Sequence, residues 1–432
     1  MSLVLGCIAD DSTGATDLAN NLVRAGMRVV QTIGVPGAPI DEDVDAIVVA
    51  LKTRTCPVAE AVGTSLAALE WLRTQGARQI YFKYCSTFDS TPRGNIGPVC
   101  DALMKALSTD FTVACPAFPE NKRVVFKGYL FAGDVLLSES GMRDHPLTPM
   151  TDSNIVRVLQ AQTKRKVGLL DYTVVARGSE AIGIGLAALR ASGVGIAIVD
   201  VIADSDFARL APALRTMPLI TGGSGMAIGL PAAWGFEHNT HAARLSEPGG
   251  FSAIVSGSCS AATRGQVSEF VRTGGASFAL DPIAAAEGKD MVGAAIAWAK
   301  EHLGKGPVLV YSTGTPEAVS AVQSRMGADV AGALVEKMLA QVAHDLAHLG
   351  VRRLVVAGGE TSSAVLHSLG VERMRIGPQI DPGVPWCSAY SKAAGAPMHI
   401  ALKSGNFGTP DFFRKALAML DQGAAAPRAA NG

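Results

Sequence analysis

Residues 3–26 read LVLGCIADDSTGATDLANNLVRAG: an apolar run ends on two adjacent aspartates, a Ser-Thr-Gly turn follows, and an amphipathic stretch closes the segment. Leu3 to Ala9 has the composition of a buried strand, and ATDLANNLVRAG (15–26) has helical spacing. Burying an unpaired carboxylate costs several kcal/mol or more, so Asp10 and Asp11 are expected at the strand's end, facing solvent or a partner. Helix capping by Asp11 or Ser12 accounts for one acid. It leaves a second acid, further hydroxyls and Gly14 unexplained, and a site in a cleft is the alternative.

The same strand–turn–helix unit recurs along the chain. DAIVVAL (45–51) and QIYFKYC (79–85) each lead through a polar turn into an amphipathic segment. IAIVDV (196–201), PLITGG (218–223), FSAIVSGS (251–258), PVLVYSTG (307–314) and RLVVAGG (353–359) repeat the pattern. Uninterrupted apolar strands alternating with helices predict an α/β fold with largely parallel sheets covered by helices on both faces. Ligands in such folds gather beyond the carboxyl ends of strands. The polar stretch FEHNTHAARLSEPGG (236–250) breaks the rhythm and is expected to link two domains, 1–235 and 251–422; a surface loop is the alternative. The low-complexity tail 423–432 is expected to be flexible.

Composition removes several function classes. Lysine plus arginine equals aspartate plus glutamate at 38 each, so no global field recruits nucleic acid or membrane. No apolar stretch approaches the roughly 20 residues that span a bilayer. The start MSLVLGCIADD lacks the basic region of a signal peptide. Seven scattered cysteines without a CxxC pair suggest reduced thiols and a cytoplasmic location. The sequence has no HExxH, which argues against zinc.

Three strand exits in the first half carry reactive groups. Beyond Asp10 and Asp11, LKTRTCP (51–57) places Lys52 and Arg54 two residues apart, on one side of an extended segment. Such a pair suits a carboxylate or phosphate, although a solvated basic edge has the same composition. YFKYCSTFDSTPRGNIGPV (81–99) crowds Lys83, Ser86, Thr87, Asp89, Ser90 and Thr91 into one turn, as a polyhydroxylated ligand requires; capping of the next helix by Asp89 is the alternative. The insertion 118–154 is expected to form a structured flap, with Arg143 and His145 as candidates for a product anion.

In the second half, SGSCS (256–260), AGGETS (357–362) and LKSGNFG (402–408) each put glycine and hydroxyl groups after a strand. Glycine lets backbone N–H groups approach an anion, and a helix N-terminus favours negative charge. Three such turns predict a polyphosphate cradle. The chain has no GxxxxGK[ST], so a P-loop is excluded.

With these motifs laid out, the chain resembles the four-carbon acid sugar kinases nearly end to end, from IADDSTGATD through KYCSTFDST and RGNIGPV to VAGGETS and LKSGNFG. The segments FKYCSTFDSTPRGNIGPV and LSESGMRDHPLTPMTDSN are most similar to the branch acting on the terminal hydroxyl of 3-oxo-tetronate. Branches acting on threonate or erythronate share the ADD and GGET elements. The resemblance implies an acid-sugar domain, an ATP domain and an active site in the cleft between them. It matches Ser258, Gly358, Gly359, Glu360, Thr361 and Gly405 to nucleotide-contacting positions.

On that basis Lys52, Arg54, Lys83, Ser86 and Arg143 are expected to bind substrate. Asp10, Asp11 and Asp89 hold its hydroxyls, with Asp10 expected as the base. ATP and Mg2+ are the expected cofactors; Glu360 is the candidate for placing the metal, whose ligands are otherwise unassigned. A small sugar acid and ATP are the expected partners, and a homodimer stays open. A sugar-acid sensor without catalysis is the rival reading, against which the intact glycine turns speak.

Overall fold

The computed structural model describes residues 3–145, 147–238, 241–246 and 249–424. It divides the chain into two units, Met1–Ala243 and Arg244–Gly432. The expected linker 236–250 lies partly outside the described residues, and the expected tail lies outside them from 425 onward.

In the first unit the strands are β1 (Leu5–Ala9), β2 (Val29–Ile33), β3 (Ala46–Ala50), β4 (Gln79–Lys83), β5 (Thr112–Cys115), β6 (Arg123–Phe126), β7 (Tyr129–Ala132), β8 (Val135–Leu136), β9 (Lys166–Leu170), β10 (Val194–Val199) and β11 (Leu219–Gly222). The main sheet runs β2-β3-β1-β4-β11-β5-β10-β9, every neighbouring pair parallel. Every residue of β1, β3, β4 and β10 is buried. That is the burial a parallel strand acquires when helices cover both faces, and it is why these strands read as unbroken apolar runs. Each fully buried Val, Leu or Ile contributes roughly 1.5–3 kcal/mol.

Register positions the site. Ala9 pairs with Ala50 on one side and Lys83 on the other, so the exits of β1, β3 and β4 are level. Asp10 donates its N–H to the Lys83 carbonyl at 3.0 Å, and Thr53 donates to the Asp10 carbonyl at 2.9 Å. Helix Ser12–Arg24 follows at once, capped by Asp11, whose side chain accepts from the Gly14 N–H at 2.7 Å.

The described residues of the insertion 118–154 include the small antiparallel sheet β6-β7-β8; the bridge Val125–Val201 ties it to the main body, and the bridge Tyr129–Asn154 closes the insertion on itself. Its far end reaches the turn after β4, where the Ser90 N–H donates to Met150 Sδ at 3.4 Å.

The second unit contains β12 (Phe251–Ser256), β13 (Ala276–Ala279), β14 (Val308–Tyr311), β15 (Val351–Ala357), β16 (Arg373–Asp381), β17 (Val384–Ser391) and β18 (Ala396–Lys403), in the order β13-β14-β12-β15-β18-β17-β16. The first five in that order are mutually parallel; β16-β17-β18 form an antiparallel meander. The geometry of the first unit returns here: Ala357 pairs with Lys403, and the Gly358 N–H donates to the Lys403 carbonyl at 2.8 Å. A core around Trp386, Phe412 and Phe413 supports the meander, and the Trp386 indole donates to the Ala416 carbonyl at 2.9 Å. Among the described residues no helix is long and apolar enough to cross a membrane.

Candidate functional site

Three carboxylates converge on one guanidinium at the strand exits of the first unit. Arg54 grips Asp10 with two parallel bonds, Nε to Oδ2 at 2.9 Å and Nη2 to Oδ1 at 2.8 Å. Its Nη1 lies 3.1 Å from Asp11 Oδ2 and 3.4 Å from Asp89 Oδ2. The fork geometry of arginine explains the first pair; sharing Nη1 brings in the other two acids.

The expected shared side for Lys52 and Arg54 rests on strand alternation. β3 ends at Ala50, so both residues lie in irregular chain where that alternation has no hold. Lys52 is exposed, while Arg54 is half-buried against the acids. Arg54 is thus engaged within the protein and organises the acid cluster.

The backbone here is held from two directions. Asn95 donates to the carbonyls of Thr53 at 2.7 Å and Cys56 at 2.9 Å, pinning the segment that carries Arg54. Phe88 and Asp89 both adopt left-handed conformations, φ 64° and 45°, without a glycine. Such conformations cost of order 1–3 kcal/mol each and persist where the surroundings over-determine them. Here the Thr87 hydroxyl, donating to Asp89 Oδ1 at 2.6 Å, and the pull of Arg54 fix the aspartate. Ser90 accepts from Gln162 Nε2 at 2.7 Å. Neither Asn95 nor Gln162 has a local signal in sequence, because their partners are 39 to 72 residues away.

Lys83 is buried beside the cluster, its Nζ donating to the Tyr84 carbonyl at 2.7 Å. Ser86 is half-buried, and Arg143 is exposed in the insertion, outside the cluster. His145 Nδ1 lies 2.9 Å from the Thr148 hydroxyl and accepts from the Thr148 N–H, which ties it into its own turn.

The two adjacent acids differ in basicity. Burial pushes the Asp10 carboxyl above the usual aspartate range despite the pull of Arg54. Burial acts on Asp11 too, but Arg54, Lys83 and the Gly14 N–H outweigh it and hold that carboxyl low. A fourth acid, Asp17, sits buried one helical turn beyond Thr13, and burial raises it to about 6.

In the second unit a cavity of about 570 Å3 opens against the glycine turns. Gly257, Ser258, Gly358, Gly359, Glu360 and Thr361 line it together with apolar residues that include Leu280, Ile283, Val319 and Val335. Close approach explains Gly257 and Gly405. A Cβ on Gly257 would stand 2.4 Å from the Thr361 hydroxyl, and one on Gly405 would stand 2.6 Å from Ser258 Oγ. Gly358 has φ 129°, which side chains rarely adopt. A Cβ on Gly359 meets nothing within 4 Å.

Sequence comparison places these two sites in known domains. Residues 5–230 match a sugar-binding N-terminal domain and residues 253–413 a nucleotide-binding C-terminal domain. The chain is 57% identical to a 3-oxo-tetronate kinase of Burkholderia multivorans, over 97% of both chains. It is 54% identical to one of Pseudomonas fluorescens, over 98% of both. A solved structure from Salmonella typhimurium LT2 superposes with a TM-score of 0.88 at 43% identity, covering 96% of this chain and 98% of that one. One from Haemophilus influenzae superposes at 0.83 with 44% identity, covering 96% and 100%. The chain belongs to the four-carbon acid sugar kinase family.

The open position at Gly359 yields a direct test. A Cβ at position 359 meets no protein atom, so the thermal midpoint of Gly359→Val should stay near wild type while the ATP KM rises about tenfold or more. Acid-sugar binding, read by calorimetry, should be unchanged. An ATP KM equal to wild type would remove this turn from the nucleotide site.

Proposed function

We propose that this protein is an ATP-dependent kinase that transfers the γ-phosphoryl group to the terminal 4-hydroxyl of 3-oxo-tetronate. The products are 3-oxo-tetronate 4-phosphate and ADP, with the hydroxyl proton released. The observation that carries the reading is the pairing, in one chain, of an acid–arginine–lysine cluster with a cavity walled by glycine turns. Relatives that are 3-oxo-tetronate kinases at 54–57% identity along nearly the whole chain support it.

Phosphoryl transfer asks little covalent chemistry of a protein; it asks for alignment, charge neutralisation and a base near the attacking hydroxyl. The acid cluster meets the last demand. Asp10 is the more basic of the adjacent pair, and each of its oxygens keeps a lone pair beyond the one Arg54 occupies. Asp11, held anionic and capping a helix, orients the hydroxyl with Asp89. Lys83 offers its remaining N–H donors to the sugar acid; Lys52, Ser86 and Arg143 lie outside the acid cluster and are proposed only as further contacts for the carboxylate and the new phosphate.

In the second unit, Ser258, Gly358, Gly359, Thr361 and Gly405 receive the polyphosphate through N–H and hydroxyl groups. Magnesium in such sites is bound mainly through phosphate oxygens with one or two carboxylates. Glu360, exposed on the cavity wall, fits that need. When bound, the ion neutralises phosphate charge. Seven free cysteines agree with a cytoplasmic location.

The test is ADP release by purified protein with ATP, Mg2+ and each of 3-oxo-tetronate, threonate and erythronate. ADP should appear only with a sugar acid present, and fastest with 3-oxo-tetronate. Equal release without any acid would reduce the protein to an ATPase, and a faster rate with threonate would reassign the substrate.

A further inference from the structure

A lysine at the end of β18 has no part in the chemistry described above. Lys403 is fully buried, and its ammonium contacts the Thr263 hydroxyl at 2.9 Å, the Ser404 carbonyl at 2.9 Å and the Gly405 carbonyl at 3.0 Å. Three oxygen acceptors take all three N–H donors of an ammonium, and none of the three is a carboxylate. Removing a cation from water without a counter-charge is costly. Among the described residues β15, the helix Ala261–Arg272 and the turn after β18 bring no charged side chain to bear on it. Burial is the sole influence on its titration and lowers it to about 8.

The Gly405 carbonyl is held more tightly still. It accepts from the Ser260 hydroxyl, from the Thr263 hydroxyl at 2.8 Å and from Lys403. In a trans peptide the C=O and the following N–H point in opposite directions, and no peptide bond here is cis. Anchoring the carbonyls of Ser404 and Gly405 on Lys403 therefore turns the N–H groups of Gly405 and Asn406 away from it. Among the described residues neither N–H donates to a protein group. Gly405 lies against Ser258, which lines the cavity. Two directed donors and an uncompensated buried cation together describe a place that lacks an anion.

We propose that Lys403 is a positioning residue for the nucleotide: it aims the N–H groups of Gly405 and Asn406 at a phosphate whose negative charge offsets its own. This rests on the nucleotide reading of the second unit. An anion at the turn favours the charged lysine, so binding takes up a proton above pH 8, and affinity falls as pH rises through that range.

ADP binding to the full-length protein is measured by calorimetry at pH 7.5 and 8.5, in two buffers of different ionisation enthalpy. Wild type should bind more weakly at pH 8.5 and take up protons there. Lys403→Met should weaken ADP about tenfold or more and abolish the proton uptake, with acid-sugar affinity within twofold of wild type. Lys403→Arg should restore part of the affinity without proton uptake, because a guanidinium does not titrate in this range. ADP affinity within twofold of wild type in Lys403→Met, or proton uptake that persists in it, overturns the proposal. Should circular dichroism show that variant unfolded, Thr263→Val takes its place: several-fold weaker ADP binding is expected, and unchanged binding is the overturning result. Wild type that binds no ADP at either pH removes the nucleotide reading, and the role of Lys403 falls with it.

Discussion

Asp10→Asn should lower kcat by about 10²–10⁴, with a smaller change in the KM for 3-oxo-tetronate. The substitution keeps the shape of the side chain and removes the proton acceptor. Asparagine can still accept one of the two Arg54 bonds, so the cluster loses one contact and one charge. The raised Asp10 carboxyl makes it the better proton acceptor of the adjacent pair, and Asp11, held low by Arg54, Lys83 and the Gly14 N–H, is the poorer one. Asp11→Asn should accordingly cost less in kcat. The kinetic constants of both variants decide the matter: a larger loss in Asp11→Asn would move the base to Asp11. A kcat within threefold of wild type in Asp10→Asn would reduce that residue to an anchor for Arg54.

Arg54→Met should damage stability and activity together. The sequence alone suggests a cation waiting for the substrate's carboxylate, whose loss weakens binding and little else. In the folded chain its four contacts run to Asp10, Asp11 and Asp89, and the variant leaves three carboxylates facing one another. Breaking a buried pair by removing one partner costs about 3–5 kcal/mol. With Arg54 one-fifth exposed, the lower end applies, a fall of about 10 °C in thermal midpoint for a unit of this size. The variant also loses the cation that restrains Asp10, so the carboxyl rises further. A base must be deprotonated to act, so the acid limb of the kcat profile moves to higher pH. A thermal midpoint within 2 °C of wild type and an unmoved acid limb would return Arg54 to the solvated edge.

Lys83 and Lys403 occupy equivalent places in the two units. Each ends a strand in register with a central neighbour, accepts the next N–H of that neighbour, and donates to the carbonyl of its own successor. One unit surrounds its lysine with acids and the other with neutral oxygens. Equivalent scaffolds therefore present an anionic cluster in one unit and a lysine among neutral oxygens in the other.

Much of this was written locally. Strands such as AIVVA and VGIAIV are apolar on both faces because both faces are covered, and that pattern survives without any knowledge of contacts. The turns at Gly257, Gly358 and Gly405 were legible as glycine turns, and at these three positions an added Cβ would crowd Thr361 or Ser258. The antiparallel pair β16-β17 fell outside the recurring strand–helix unit, since a hairpin follows no crossover helix.

By itself the sequence determined the α/β class, the strand exits that carry the acids and glycines, and the motifs shared with the family. Only the tertiary structure decided whom each charge serves. Arg54 and Asp89 are 35 residues apart, and Lys403 and Thr263 are 140 apart. The partner of a buried ion is set by which strand exits the register brings level, and register is a property of the sheet.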